Sequence, residues 1–168
     1  VLGFTDIQAA TIAGVFSACL YLLPTFSGAL ADKIGFRKSM LLAFALLSLG
    51  YLGLGLFPSF LSTTGLVEYG YVTKFTGLQE SGYRYGIIPV MILIIVGGSF
   101  IKSVISGTVA KETDEKNRAR GFAIFYGMVN IGAFSGKVLV TPLRDAMGHE
   151  GMIVLNYFSA AMTFLALI

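Results

Sequence analysis

Gly28-Ala-Leu-Ala-Asp32-Lys33-Ile-Gly35-Phe-Arg37-Lys38 is a short charged hinge between two long apolar runs. Residues 7–30 upstream and 39–57 downstream contain no Asp, Glu, Lys or Arg. At about 1.5 Å per helical residue, roughly 20 residues cross a hydrocarbon core of about 30 Å. Each run is therefore read as a membrane-spanning helix, and the hinge lies at a membrane surface. Asp32 falls at the C-terminal end of the first helix, where the macrodipole is already negative, so its carboxylate needs an answering cation or another helix's N-terminus. Lys33, Arg37 and Lys38 are the nearest cations. Gly28 lets a neighbouring backbone approach, and Gly35 permits the positive φ that a tight reversal needs.

Composition agrees with this reading. Hydrophobic residues make up 55% of the 168 positions and charged residues 12%, and the mean hydropathy is +0.80. A soluble domain of this size carries far more surface charge. The net charge of +3 is small and its cations are scattered or confined to loops, which argues against nucleic acid as a partner. Cys19, the single cysteine, reads as a small inert hydrophobe, and one cysteine builds neither disulfide nor metal framework. His149 reads as a solvated side chain in a polar turn. The chain opens on Val1 without a basic leader and stops inside an apolar run, so it is expected to be part of a longer membrane protein.

Working outward, the expected spans are 7–30, 39–57, 86–110, 121–143 and 152–168, an all-α, polytopic membrane domain. Thr5 and Asp6 supply a helix start, Pro24 interrupts the first span, and Pro58 is expected to end the second. Ser17, Tyr21, Thr25 and Gly28 form one polar-to-small stripe along the first span. The second span has no such stripe and reads as scaffold or lipid-facing. Residues 58–85 are mixed in composition and read as a long external loop holding a hairpin or interfacial helix. A turn is expected from Arg144 to Gly151. The loops after the first and third spans, 31–38 and 111–120, are dense in Lys and Arg, so the positive-inside rule makes them cytoplasmic.

An ionisable side chain at membrane depth costs about 2.5 to 3.5 kcal/mol by insertion scales, so it faces a cavity, a partner or the interface. Lys102 lies about 12 Å from the cytoplasmic end of its span. Ser99 and Ser106 extend it into a polar stripe that favours a water-filled cavity over snorkelling to the interface. On the fourth span Tyr126, Asn130 and Lys137 share one face, and Gly132 with Gly136 makes a small-xxx-small pair suited to close helix contact. Tyr126 and Asn130 read either as cavity-lining or as helix-to-helix glue, and Lys137, nearer the outer surface, either as cavity-facing or as snorkelling.

The hinge residues Gly28, Asp32, Gly35, Arg37 and Lys38 closely resemble the loop between the second and third helices of the major facilitator superfamily of transporters, where the loop helps close the cytoplasmic side. The resemblance narrows at Tyr21-x-x-Pro24, at Gly97-Gly98-x-x-Ile101-Lys102, and at Phe125-Tyr126-x-x-x-Asn130-Ile-Gly132, which look like the proton-dependent oligopeptide transporter family. It implies a partial major-facilitator N-terminal helix bundle, helices two to six of twelve, with helix one and the C-terminal half supplied by the rest of the transporter. It further implies a bacterial inner-membrane protein taking up small peptides by proton-coupled symport, with protons as coupling ion and no bound cofactor. Tyr21, Lys102, Tyr126 and Asn130 then line the substrate site, the lysine holding the peptide's carboxylate. Ser103 stands where that family usually has proline, Gly127 where a bulky residue is usual, and Lys137 is unexpected. The alternatives are another superfamily transporter, for sugars, organic anions or drugs, and a non-transporting membrane protein. An enzyme is not expected, since no metal-spaced cluster, nucleophile–base pair or phosphate-cradling loop is present.

Overall fold

The computed structural model describes residues 4–63 and 82–167. Among the described residues four α-helices follow one another: α1 (Asp6–Ile34), α2 (Phe36–Thr63), α3 (Ile87–Glu112) and α4 (Arg118–Leu165), with a 3-10 turn at Gly82–Gly86 leading into α3. No strand occurs among the described residues. Asp6–Ile34, Phe36–Phe57, Arg84–Glu112 and Arg118–Met147 are each long and apolar enough to cross a membrane, and Ile153–Leu165 is a shorter apolar stretch.

The first helix starts with a reciprocal cap. Thr5 Oγ1 accepts from the Gln8 backbone N–H at 3.3 Å, and the Gln8 side chain accepts from the Thr5 N–H at 3.2 Å. It ends at Gly35, whose N–H donates to the Ala31 carbonyl at 2.8 Å and whose φ of 96° lies in the region that L side chains avoid. A single residue therefore reverses the chain, because the next helix already begins at Phe36.

The third helix is the centre of the bundle, packed between α1 on one side and α2 on the other. Adjacent glycines make this possible. A Cβ added at Gly97 would lie 2.9 Å from the Ala43 carbonyl oxygen and 2.9 Å from Leu47 Cγ on α2. One added at Gly98 would lie 2.9 Å from Leu20 Cδ2 on α1. Neighbouring positions point about 100° apart on a helix, so the pair opens two contact faces at one level. Gly50 repeats the device from the α2 side, where a Cβ would collide with Ile94 Cγ1. Below this level Ala31, Ala43, Phe100 and Val104 form a buried cluster, flanked by Phe36, Met40, Val96 and Ile101.

The two ends of the bundle can be told apart. At one end Phe36 meets Gly107, and Lys111 Nζ sits 5.9 Å from the Phe36 ring; both cation-dense loops lie here. At the other end Phe57 meets Gly86, and the Arg84 guanidinium stacks on Phe4 at 5.2 Å and Tyr85 at 5.0 Å.

Two expected boundaries differ. Pro58 does not stop the second helix, which runs on to Thr63; the missing N–H costs one intrahelical bond without forcing the chain out of helix. No separate turn divides a fourth from a fifth span at Arg144–Gly151, since the residues are helical throughout α4. A rod of 48 residues would be about 72 Å long, yet α4 is not straight. Its first turn lies against Thr113 and Val109, whereas Tyr157 contacts Gly55 and the Ala160 carbonyl accepts from Ser48 Oγ at 3.2 Å. From Tyr157 to Ala160 the chain passes from the level of Gly55 towards that of Ser48, antiparallel to α2. The axis therefore turns back between Gly121 and Tyr157, and Pro142, which cannot donate to the Val138 carbonyl, lies in that interval. The external loop expected at 58–85 lies outside the described residues from 64 to 81.

Candidate functional site

Lys102 projects from the middle of α3, ten residues or about 15 Å before its C-terminal end at Glu112. Its Nζ lies 3.9 Å from the centroid of the Tyr21 ring on α1, within the range of a cation–π contact. Tyr21 is 75% exposed and Lys102 is exposed beside it, so the pair sits on the rim of the α1–α3 seam. Among the described residues no carboxylate pairs with Lys102.

The serines divide differently from the single stripe expected of the sequence. Ser99 is only 2% exposed and donates to the Val96 carbonyl at 2.7 Å. Ser106 donates to the Lys102 carbonyl at 3.0 Å. Both hydroxyls thus answer backbone oxygens of their own helix, as Ser and Thr do when apolar surroundings leave no water to bond. The hydroxyl that reaches another helix is Ser103. Its Oγ donates to the Pro24 carbonyl at 2.7 Å and lies 3.1 Å from Ser27 Oγ. Ser103 entered the sequence reading only as a departure from proline. The signal that finds it is the pair of hydroxyls, Ser27 and Ser103, placed in apolar spans where each needs a partner.

The remaining site candidates lie apart from this pair. Tyr126 is 57% exposed on α4 and packs with its own neighbours, 6.4 Å from the Phe122 ring and 5.1 Å from Phe125. Asn130 and Lys137 are exposed on the same helix. Neither Tyr126 nor Asn130 makes a hydrogen bond or ring contact with Tyr21 or Lys102 among the described residues. Gly132 and Gly136 have nothing within 4 Å of an added Cβ, so the close helix contact expected of them is not made among the described residues.

At the hinge, Gly28 meets Ser103, whose Cβ and Oγ would each lie 3.6 Å from a Cβ at that position. The approach is thus to a side chain of α3 at ordinary van der Waals distance. Asp32, Arg37 and Lys38 are exposed, and among the described residues Asp32 forms no ion pair with the cations expected to answer it. No three His, Cys, Asp or Glu side chains among the described residues stand close enough together to hold a metal ion.

The sequence profile of the Major Facilitator Superfamily matches residues 1–168. Peptide transporter YePEPT of Yersinia enterocolitica subsp. palearctica serotype O:3 (strain YE-P4) is 29% identical over 142 residues, covering 82% of this chain and 23% of that protein. The chain thus spans about a quarter of the length of that relative. No solved structure matches it.

Proposed function

The chain belongs to the major facilitator superfamily, and from that premise we propose that it forms part of a secondary active transporter that carries small peptides or related solutes with protons by alternating access. The observation that carries this reading is the Lys102 ammonium, held at membrane depth against an aromatic face rather than a carboxylate. An ammonium there is costly without a partner. A tyrosine ring offsets part of that cost but leaves N–H donors free, and a ligand carboxylate is the natural acceptor for a charge-assisted bond in a low-dielectric cleft.

In this proposal Lys102 holds the substrate's carboxylate and Tyr21 orients the ammonium. Tyr126 and Asn130 supply hydrogen bonds from α4, which requires α4 to close against the α1–α3 seam. Gly28, Asp32, Gly35, Arg37 and Lys38 form the cytoplasmic hinge, with 31–38 and 111–120 on the cytoplasmic side. Protons are the coupling ion. The peptide-transporter likeness supports this substrate class, and a bacterial inner-membrane setting is part of the proposal.

The test is uptake of a radiolabelled dipeptide by the intact protein in proteoliposomes under an inward proton gradient. Uptake is expected to be saturable, abolished by a protonophore, and lost in Lys102→Ala. Undiminished uptake in that variant would remove Lys102 from the site. Gradient-driven uptake of a sugar, organic anion or drug in place of the dipeptide would replace peptides by another substrate of the superfamily.

A further inference from the structure

We propose that Ser103 is a positioning residue for the Lys102–Tyr21 pair, fixing the register of α3 against α1 through a hydroxyl-to-carbonyl bond one residue from the lysine. The inference rests on the reading of Lys102 as the substrate's carboxylate ligand. Ser103 Oγ has one proton and three oxygens within reach: the Pro24 carbonyl at 2.7 Å, Ser27 Oγ at 3.1 Å and its own helix's Ser99 carbonyl at 3.2 Å. The shortest of these lies on the other helix, so the proton goes there and α3 is bonded to α1. Ser27, 6% exposed, then donates to Ser103 or to the Pro24 carbonyl, which lies 3.3 Å from its own Oγ. Three oxygens from two helices thus share two protons in a closed cluster.

The placement gives this cluster its effect. Pro24 follows Tyr21 by three residues, less than one helical turn, and Ser103 follows Lys102 directly. The hydroxyl bond and the cation–π contact are therefore two crossings of the same seam at nearly one level. A slip of α3 along α1 by one helical turn, about 5.4 Å, would carry the ammonium from 3.9 Å to beyond the roughly 6 Å reach of the ring. Gly28, one turn after Pro24, lies beside Ser103, and a Cβ there would meet it at the ordinary van der Waals distance of 3.6 Å. The four-carbon stem of a lysine is flexible, so the backbone register sets which surfaces the ammonium reaches, and the cation–π contact then selects the ring among them.

The test uses the intact protein with two readouts. The first is the rate at which an amine-acylating reagent labels Lys102, read by peptide mass spectrometry, which needs no substrate. In Ser103→Ala the labelling rate at Lys102 is expected to shift severalfold, while labelling of Lys111 and Lys137 stays the same. Ser103→Thr, which keeps the hydroxyl, is expected to restore the parent rate. The second readout is dipeptide uptake: Ser103→Ala raises KM about threefold to twentyfold, the range of an interhelical hydrogen bond in a membrane, with Vmax retained. Ser27→Ala leaves the Pro24 bond in place and gives the smaller shift in both. Unchanged Lys102 labelling in Ser103→Ala overturns the positioning role, even if KM rises, since Ser103 would then act on substrate without the lysine. A labelling shift in a protein that takes up no dipeptide upholds the positioning role and removes the peptide reading instead.

Discussion

The contact between Lys102 Nζ and the Tyr21 ring separates two roles for the tyrosine, and substitution at position 21 distinguishes them. The ammonium stands 3.9 Å from the ring centroid, well inside the limit of about 6 Å for cation–π attraction. Such contacts contribute about 0.5–1 kcal/mol at exposed sites and about 2 kcal/mol when desolvated. Tyr21 is exposed at the seam, which places the parent value at the low end unless another part of the transporter covers it. At about 1.4 kcal/mol per tenfold change, Tyr21→Leu is expected to raise the dipeptide KM by about two- to thirtyfold. The ring and a substrate carboxylate need not compete, because an ammonium has three donors and the ring faces only one side of it. Tyr21→Phe keeps the ring and loses only the hydroxyl, so its KM is expected to stay within about twofold of the parent, the size of a weak contact. The measurement is the concentration dependence of uptake for all three proteins. Equal impairment in Tyr21→Phe and Tyr21→Leu would assign the effect to the hydroxyl and refute the ring argument. Parent behaviour in Tyr21→Leu would mean that the ring does nothing for the lysine.

Two further expectations concern the scaffold. Gly97→Ala forces a Cβ to within 2.9 Å of the Ala43 carbonyl, and backbone cannot yield as a side-chain tip does; a loss of about 1–3 kcal/mol is expected, read as a lower unfolding temperature in detergent. Gly136→Ala meets nothing within 4 Å and is expected to be neutral or to stabilise by up to about 1 kcal/mol through helix propensity. Equal destabilisation by both would show that another segment packs on Gly136. Ser39 is fully buried, and among the described residues its hydroxyl has no hydrogen-bond partner. Ser39→Ala is therefore expected to raise the unfolding temperature, since an unmade buried bond costs about 1–3 kcal/mol; a lowered one would indicate a partner for Oγ in the membrane-embedded protein.

What could be read from residues alone followed from uninterrupted apolar runs and from one glycine. The spans flanking the hinge needed only length and the absence of charge, and Gly35 adopts the positive φ that a one-residue reversal demands. Sequence spacing put Lys102 and Tyr21 on polar stripes of two separate spans; that the ammonium meets the ring across the α1–α3 seam is seen only in the structure. Proline was misleading at Pro58, which reads as a terminator although helix continues past it to Thr63, because hydrogen bonds on either side outweigh one lost donor. The turn expected at 144–151 is not a break in the helix: α4 turns back in the interval that holds Pro142 while staying helical. The serines failed for another reason: helical spacing groups Ser99, Lys102 and Ser106 on one side, but spacing does not say which hydroxyl is satisfied at home and which crosses the seam.

The division of labour on α3 bears on how the hinge and the site communicate. Its Gly97 face is pressed against α2 backbone, its Gly98 face against Leu20, and Ser103 is bonded to Pro24. From Pro24 to Gly35 the first helix continues for about ten residues, or about 15 Å, with no second proline to bend it. A helical segment of that length transmits displacement along its axis as a rod. Movement of the hinge at Gly35 therefore reaches Pro24 with little loss, and there it meets a hydrogen bond one residue from Lys102. Either the bond holds, and α3 follows with its lysine, or it breaks, and the ammonium leaves the ring. On the proposed function, in both cases a change at the Gly28–Lys38 end alters where the Lys102 charge sits, and the hydrogen bond from Ser103 to Pro24 is the contact through which hinge and site would be coupled.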